Sequence, residues 1–384
     1  MKIVYLHQHF KVNSGGTRSF EFSKYLVKKG HDVVMITGNE PYNTNIEGIQ
    51  IKSTKTKYSQ HFSFVRRIIS FIHFMIKSTV LGFKEKKTDL FYATSTPLTI
   101  GFPVLILSKL TRKRYVFEVR DVWPDIPIQL GIIKSNFLKK ILFIFEKIIY
   151  NNAEHIIVLS EGMKKNLLNK NISEEKITVI TNLSMNKLFD SISSEKRNYY
   201  KDKLLCIHPG TMGIVNGVDF ILNVAEYYPN ESIVYLLIGE GNQKNRMKDR
   251  INRNNIKNVI IEDSLPKDKI IKKIKQADVG IMSVDDYDIL KDNSANKFFD
   301  YLAAGLPVLI NYPGWQKEVL ETNKAGKSFE FNNEKEFYYF LLQLYQDSKL
   351  YDEYSINAKK LAVEKYDSVM LSKKFESVLK QVLS

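Results

Sequence analysis

The chain has 384 residues, 44% of them hydrophobic and 26% charged, with 57 Lys/Arg against 42 Asp/Glu and one cysteine, Cys206. That length passes the roughly 250–300 residues at which one hydrophobic core stops growing, so two domains are expected. A lone thiol excludes an intrachain disulfide, argues against a zinc site built on thiolates and fits a reducing, cytosolic compartment. The opening MKIVYLHQHF lacks a signal-peptide core, and no apolar run is long enough to predict a spanning helix. The net charge of +15 is uneven. Residues 1–190 hold 29 Lys/Arg and 15 Asp/Glu, or +14, whereas residues 191–384 hold 28 and 27, or +1. This asymmetry points to anionic partners: nucleic acid, anionic lipid or phosphorylated substrates.

In chain order, Lys2–Leu6 predicts a strand and Thr17–Lys29 a helix stopped by Gly30. Val33–Thr37, Leu90–Ala93, Tyr115–Val119 and His155–Leu159 predict further short buried strands. Ile177–Phe189 reads as a last strand running into a linker, and the pattern then restarts. Leu204–His208, Ile233–Ile238, Val259–Ile261, Val279–Ser283 and Val308–Asn311 predict a second set, with helical stretches between them. Apolar strands alternating with helices predict parallel, doubly wound sheets. The expected domains are 1–187 and 200–367, hinged near 187–200, with a helix over 368–384 joining the first. Ligands of such sheets bind beyond the carboxyl ends of the strands, which directs attention to those loops and to a cleft between the domains.

Three stretches carry candidate chemistry. After the first strand, HQHFKVNSGG ends in Gly15 and Gly16 at a helix start. Adjacent glycines there either bring backbone N–H groups to a phosphate or serve an ordinary turn. No GxGxxG is present, since GEG at Gly239–Gly241 lacks the third glycine, so an NAD-type site is poorly supported. EVRDVWPD at Glu118–Asp125 follows a strand. Arg120 and Asp121 there either face a phosphate or acceptor, or close the loop as a structural pair. DNSANKFFDYLAAG at Asp292–Gly305 predicts a helix over Asn296–Ala304, capped by Ser294 or Asn293, with Phe298, Phe299 and Leu302 toward the core. Lys297 near the helix start suits a diphosphate. Asp300 suits vicinal hydroxyls, because a carboxylate accepts two hydrogen bonds at once. The competing reading is a solvated helix with an i, i+3 ion pair. Asp285, Asp286 and Asp288 form a carboxylate-rich loop that reads as solvated rather than metal-binding.

Asp292-x7-Asp300 followed by YLAAGLPVL resembles the signature of family 4 glycosyltransferases, which have the GT-B fold. LHQHF…SGGTRSFEFSKYLVKKGHDVVMITG at 6–38, FEVRDVWPDIPIQLG at 117–131, HPGTMGIVNGVDFIL at 208–222 and IGEG at 238–241 agree in order and place. The resemblance implies an α/β GT-B architecture, two Rossmann-like doubly wound domains facing a central cleft. It implies a retaining, metal-independent transferase whose nucleotide-sugar donor sits mainly on the C-terminal domain, with no cofactor. The nearest branch builds bacterial O-antigens and capsules and includes N-acetyl-L-fucosamine transferases; there the donor is expected to be UDP-linked. By resemblance, Asp292 contacts the donor sugar, Asp300 the ribose, and Gly15 and Gly16 the diphosphate. The family's GRxxxxKG reads Gly210 through Gly217 here, with Thr211 and Asn216 in place of both cations. Lys297 or Arg120 is the candidate substitute. A His-Asp of the acceptor loop is Arg120-Asp121 here, so that loop offers no imidazole base.

FSFVRRIISFIHFMIKSTVLGFKEKK at 62–87 and KSNFLKKILFIFEKIIY at 134–150 are apolar and basic. They are expected either to cover the sheet or to lie on an anionic membrane surface. A polyprenyl-diphosphate-linked saccharide, the acceptor the family implies, places the protein peripherally on the inner face of the cell membrane. Two other classes fit the composition: a nucleotide-sugar 2-epimerase of the same architecture, and a non-enzymatic basic lipid- or nucleic-acid-binding protein. No recognition helix or RNP-like motif supports nucleic acid.

Overall fold

The computed structural model describes the whole chain except residues 11–16, 39–43, 59–61, 96 and 195–201. Its strands fall into two sheets. The first contains β1 (Lys2–Leu6), β2 (Asp32–Thr37), β3 (Thr44–Ile46), β4 (Ile49–Ser53), β5 (Leu90–Thr94), β6 (Tyr115–Val119), β7 (His155–Val158) and β8 (Ile177–Val179). Their order is β3-β4-β2-β1-β5-β6-β7-β8, parallel except for the β3–β4 edge. The second contains β9 (Leu204–Pro209), β10 (Ile233–Ile238), β11 (Val259–Glu262), β12 (Val279–Met282), β13 (Val308–Ile310) and β14 (Gly326–Ser328), ordered β11-β10-β9-β12-β13-β14 and all parallel. Helices cover both faces of such sheets, so central strands are apolar without alternation. LFYAT in β5 and IVYLLI in β10 are buried throughout. In each sheet the strand order reverses beside the opening strand, between β1 and β5 and between β9 and β12, the place where open α/β sheets bind ligands.

The chain divides into two compact units: 1–181 with 369–384, and 182–368. The expected hinge at 187–200 therefore lies too late in the chain. Asn182 donates to the Ser294 carbonyl, Ser184 Oγ to the Phe299 carbonyl at 3.0 Å, and Asn186 to the Ala362 carbonyl at 2.9 Å. These bonds tie residues 182–186 to the second unit. Ile177–Phe189 is not one strand running into a linker: β8 stops at Val179, and Asn186–Ser191 is a short helix. The last helix, Ser368–Leu383, packs in the first unit, with Phe375 stacked on Phe22 at 4.3 Å and His31 2.8 Å from Glu376.

Candidate functional site

In the second unit, β9 delivers His208 and then Gly210 to the carboxyl end of the sheet. His208 is buried, and its Nδ1 lies 3.0 Å from the Ile281 carbonyl. A carbonyl only accepts, so Nδ1 carries the proton and Nε2 is left as the acceptor. Lys297 Nζ, from the first turn of the Asn296–Ala304 helix, donates to that Nε2 at 3.1 Å. Burial, then the adjacent Lys297 charge, hold His208 well below its usual range, so it is neutral. Burial also pushes the Lys297 ammonium down to about 7. No carboxylate among the described residues pairs with it. Gly210 has φ +151, and a Cβ there would stand 2.8 Å from Lys297 Nζ. Glycine is what lets the strand end lie against this ammonium.

One turn further along, Asp300 is 6% exposed and receives Lys267 Nζ at 2.5 Å. The i, i+3 pair with Lys297 is not made: the two cations face different partners. Phe298, Phe299 and Leu302 are fully buried. The cap is a correction. Ala295 is the N-cap residue, no side chain caps the helix, and Ser294 Oγ is buried without a partner. Asn293 Oδ1 accepts from the Ala295 N–H at 3.3 Å instead. Asp292 ends the short 3-10 turn Asp288–Asp292 and is half-buried. Trp315 Nε1 donates to the adjacent Asn293 carbonyl at 2.9 Å, fixing this approach to the helix.

The loop after β9 is zipped to the loop after β10. Met212 N–H donates to the Glu240 carbonyl at 2.8 Å, and Gln243 N–H to the Met212 carbonyl at 3.0 Å. A Cβ on Gly239 or Gly241 would stand 1.8 Å from the Gly210 carbonyl or 2.1 Å from that of Met212. The GEG sequence thus serves close packing of two loops. Thr211 is exposed; Asn216 lies in the Ile214–Asn216 turn, its carbonyl accepting from Ser283 Oγ at 2.7 Å. A cavity of about 450 Å³ opens beside this turn, lined among others by Gly213, Gly217, Asp285, Asp286, Asn311 and Phe331. Asp292, Lys297 and Asp300 do not line it. Asp288 pairs with Lys291 at 2.7 Å, and no group of three metal-capable side chains occurs among the described residues.

In the first unit, Glu118 and Arg18 make a buried ion pair at 2.7 Å. Tyr92 and Thr94 also donate to Glu118, at 2.7 and 2.6 Å. Burial alone would raise this carboxyl, but Arg18 and the other donors outweigh it and hold the group below its usual range. Glu118, read as part of a site loop, is a structural anchor. Arg120 stands at the end of β6, its backbone N–H bonded to Ser95 Oγ at 3.0 Å and its Nη1 3.5 Å from His7 Nε2. The loop itself holds no imidazole, but His7, directly after β1, brings one beside it. His7 is kept neutral by burial and by Arg120. Asp121 is exposed. Gly15 and Gly16 lie outside the described residues.

His208, His7 and Lys267 are the residues sequence reading passed over. Each histidine sits at or next to the carboxyl end of an opening strand, which is the signal that marks them. Lys267 has none, being 33 positions from its partner.

Residues 15–183 match the family model described as Glycosyltransferase Family 4, and residues 190–361 match Glycosyl transferases group 1. WcaI of Escherichia coli, named as a colanic acid biosynthesis glycosyl transferase, is 18% identical over 64% of this chain and 66% of its own length. WbjE of Pseudomonas aeruginosa, named as a glycosyltransferase, is 21% identical over 43% of this chain and 42% of its own. The alignments with the curated relatives thus span 42% to 66% of those proteins. Sucrose-phosphate synthase from Thermosynechococcus elongatus superposes with a TM-score of 0.78 at 12% identity, covering 99% of this chain and 98% of its own. Anabaena Alr3699/HepE, solved with UDP-glucose, gives 0.74 at 14% identity, covering 99% and 100%. Two parallel α/β sheets, a fold shared with these enzymes and family matches in both halves agree: the chain belongs to the family 4 glycosyltransferases of GT-B fold.

Proposed function

We propose that the protein is a retaining transferase that moves a sugar, an N-acetylated amino sugar, from a UDP-linked donor to a polyprenyl-diphosphate-linked saccharide in capsule or O-antigen assembly. The observation that carries the reading is the Lys297 ammonium, half-buried at Gly210 against a neutral imidazole and, among the described residues, without a carboxylate. A cation held this way is stabilised by an arriving anion, and a diphosphate supplies one. Asp300, on the same helix, accepts from the ribose hydroxyls in exchange for part of its bond to Lys267. Asp292 contacts the donor sugar. Gly210, Thr211 and Asn216 form the donor loop, in which Lys297 takes the place of the family's two missing cations. By resemblance alone, Gly15 and Gly16, which lie outside the described residues, are assigned to the diphosphate, and Arg120 and Asp121 to the acceptor.

In this reading the bond from the anomeric carbon to the diphosphate oxygen breaks, with Lys297 stabilising the charge that develops on the leaving group. The acceptor oxygen bonds to the same face of that carbon, and its proton passes to the departing phosphate oxygen. No step draws on a metal or cofactor. The acceptor places the enzyme at the inner face of the cell membrane. A panel of nucleotide sugars titrated by calorimetry, followed by transfer to short prenyl-diphosphate-linked saccharides, tests the reading. Tight UDP-sugar binding and turnover that survives EDTA are expected. Failure to bind any UDP-sugar, or loss of turnover on chelation restored by magnesium or manganese, overturns it. Epimerised donor in the absence of acceptor would move the protein to the epimerase class.

A further inference from the structure

The first unit wears two of its helices inside out. Along Phe64–Phe83 the residues Val65, Ile69, Ile72, Ile76, Val80 and Phe83 fall on one stripe at helical spacing, and all six are exposed, Ile69 by 60% and Ile76 by 59%. Its inward side carries Ser70, Ser78 and Gly82 beside Phe74. Asn136–Asn152 repeats the inversion. Phe137, Ile141, Ile144 and Ile148 form an exposed stripe, Phe137 being 76% exposed, while the acidic Glu146 is buried. A surface helix in water buries its apolar stripe; here the stripe points out.

The two helices belong to one layer. Gly101–Thr111 lies between them, so close that a Cβ on Gly82 would meet Leu107 at 2.5 Å and one on Gly101 would meet Ile149 at 2.2 Å. That helix adds exposed Phe102 and Leu110. The result is an extended apolar face, well beyond the scattered single residues of an ordinary surface. The three helices contain one acidic residue, Glu146, and it faces inward, 2.6 Å from Lys170. Exposed Lys77, Lys84, Lys109, Lys140 and Lys147 stand on or beside the same helices. No helix among the described residues is long and apolar enough to cross a membrane.

We infer that this face inserts, lying flat, into the interface of an anionic phospholipid bilayer, with the lysines against the head groups. Apolar exposure alone would also suit a second copy of the chain. A symmetric dimer on this face would set one lysine ring against another, whereas an anionic bilayer complements it. The inference deepens the membrane part of the proposed function, and it differs from a purely electrostatic attachment. Apolar groups hold the protein once it has landed, so salt slows binding more than it reverses it.

The test is flotation of the full chain with phosphatidylcholine vesicles, with and without phosphatidylglycerol. Binding is expected to favour phosphatidylglycerol and to survive, in large part, a salt wash given after binding. The double variant Ile69→Ser, Ile76→Ser changes only exposed side chains and should lower partitioning by about tenfold or more. Its UDP affinity by calorimetry should match the unmodified chain's, which shows that it is folded. Undiminished partitioning of this variant, complete release by salt, or a dimer in size exclusion that the substitutions dissolve overturns the inference. Absence of UDP binding in the unmodified chain would count against the proposed transferase function and leave the flotation result standing.

Discussion

Each unit holds a charge near the carboxyl end of its sheet, fully buried at Glu118 and half-buried at Lys297, and the two are treated in opposite ways. Glu118 in the first unit is met by Arg18, Tyr92 and Thr94. Lys297 in the second is met by a neutral histidine. A buried ion satisfied by its own protein is architecture; one left with a neutral partner is held ready for something that arrives. The same contrast runs through the surfaces, since nearly all the net charge lies in residues 1–190. Arg18 apart, the first unit exposes many of its cations, Lys77, Lys84, Lys109, Lys140 and Lys147 among them. The second holds half-buried the one that the proposed function assigns to the diphosphate.

The contrast breaks most visibly at Glu118. Glu118→Ala strands the Arg18 guanidinium in the core and should cost about 3–5 kcal/mol in denaturant unfolding of the first unit. The pH dependence has a definite sign. The folded carboxyl titrates below its unfolded value of about 4.3, so its contribution is complete above that pH and is lost as the pH falls through the lower, folded value. The variant should accordingly lose less stability than the unmodified chain on acidification. A loss under about 1 kcal/mol at neutral pH would make the pair dispensable and dissolve the contrast.

Lys297→Met tests the other side. UDP affinity should fall by about 2–5 kcal/mol, as when one partner of a buried charged pair is removed. The free protein should be unchanged or more stable, because a half-buried ammonium with only a neutral imidazole for partner is removed. The folded ammonium titrates near 7 rather than at its ordinary 10.5, so the burden of burying it is full below about 7 and relieved as the pH rises toward 10.5. A diphosphate selects the protonated form, so UDP affinity should decline as the pH climbs through 7 to 8, and the variant should lack that decline. Flat pH profiles for both proteins would remove Lys297 from the site.

Asp300→Asn comes next, with an expected loss of about 1–3 kcal/mol in donor affinity by calorimetry. Unchanged affinity would leave Asp300 as the partner of Lys267 and nothing more. The helix that bears both residues shows what the sequence could carry. Asn296–Ala304, its three buried apolar side chains and the central strands were all legible, since burial on both faces writes a continuous apolar run. β3, β4 and β14 were not: TNI and GKS are short, polar edge pieces, and IQIKS, paired between β2 and β3, carries only two apolar residues, so their pairing depends on neighbours. The partners of Lys297 and Asp300 were equally hidden, because His208 and Lys267 come from other elements and only the folded chain brings them near.

The smallest effect concerns caps, and it separates the units once more. Ser160 in the first unit accepts from the Met163 N–H at 3.1 Å and caps the Glu161–Asn169 helix. Ser294 occupies what the sequence marks as the same position before Asn296–Ala304, yet its hydroxyl has no partner. Ser160→Ala should cost about 1 kcal/mol of stability, the usual value of a lost cap. Ser294→Ala should cost nothing and could gain a few tenths of a kcal/mol, since a buried hydroxyl without a partner is itself a burden. Matched losses in thermal unfolding would mean that Ser294 caps its helix after all. This helix start, beside the Lys297 ammonium, has no side-chain cap and carries the positive end of the helix dipole. A neutral Ser294→Ala would therefore fit a helix end kept open for an anion, and a costly one would close it.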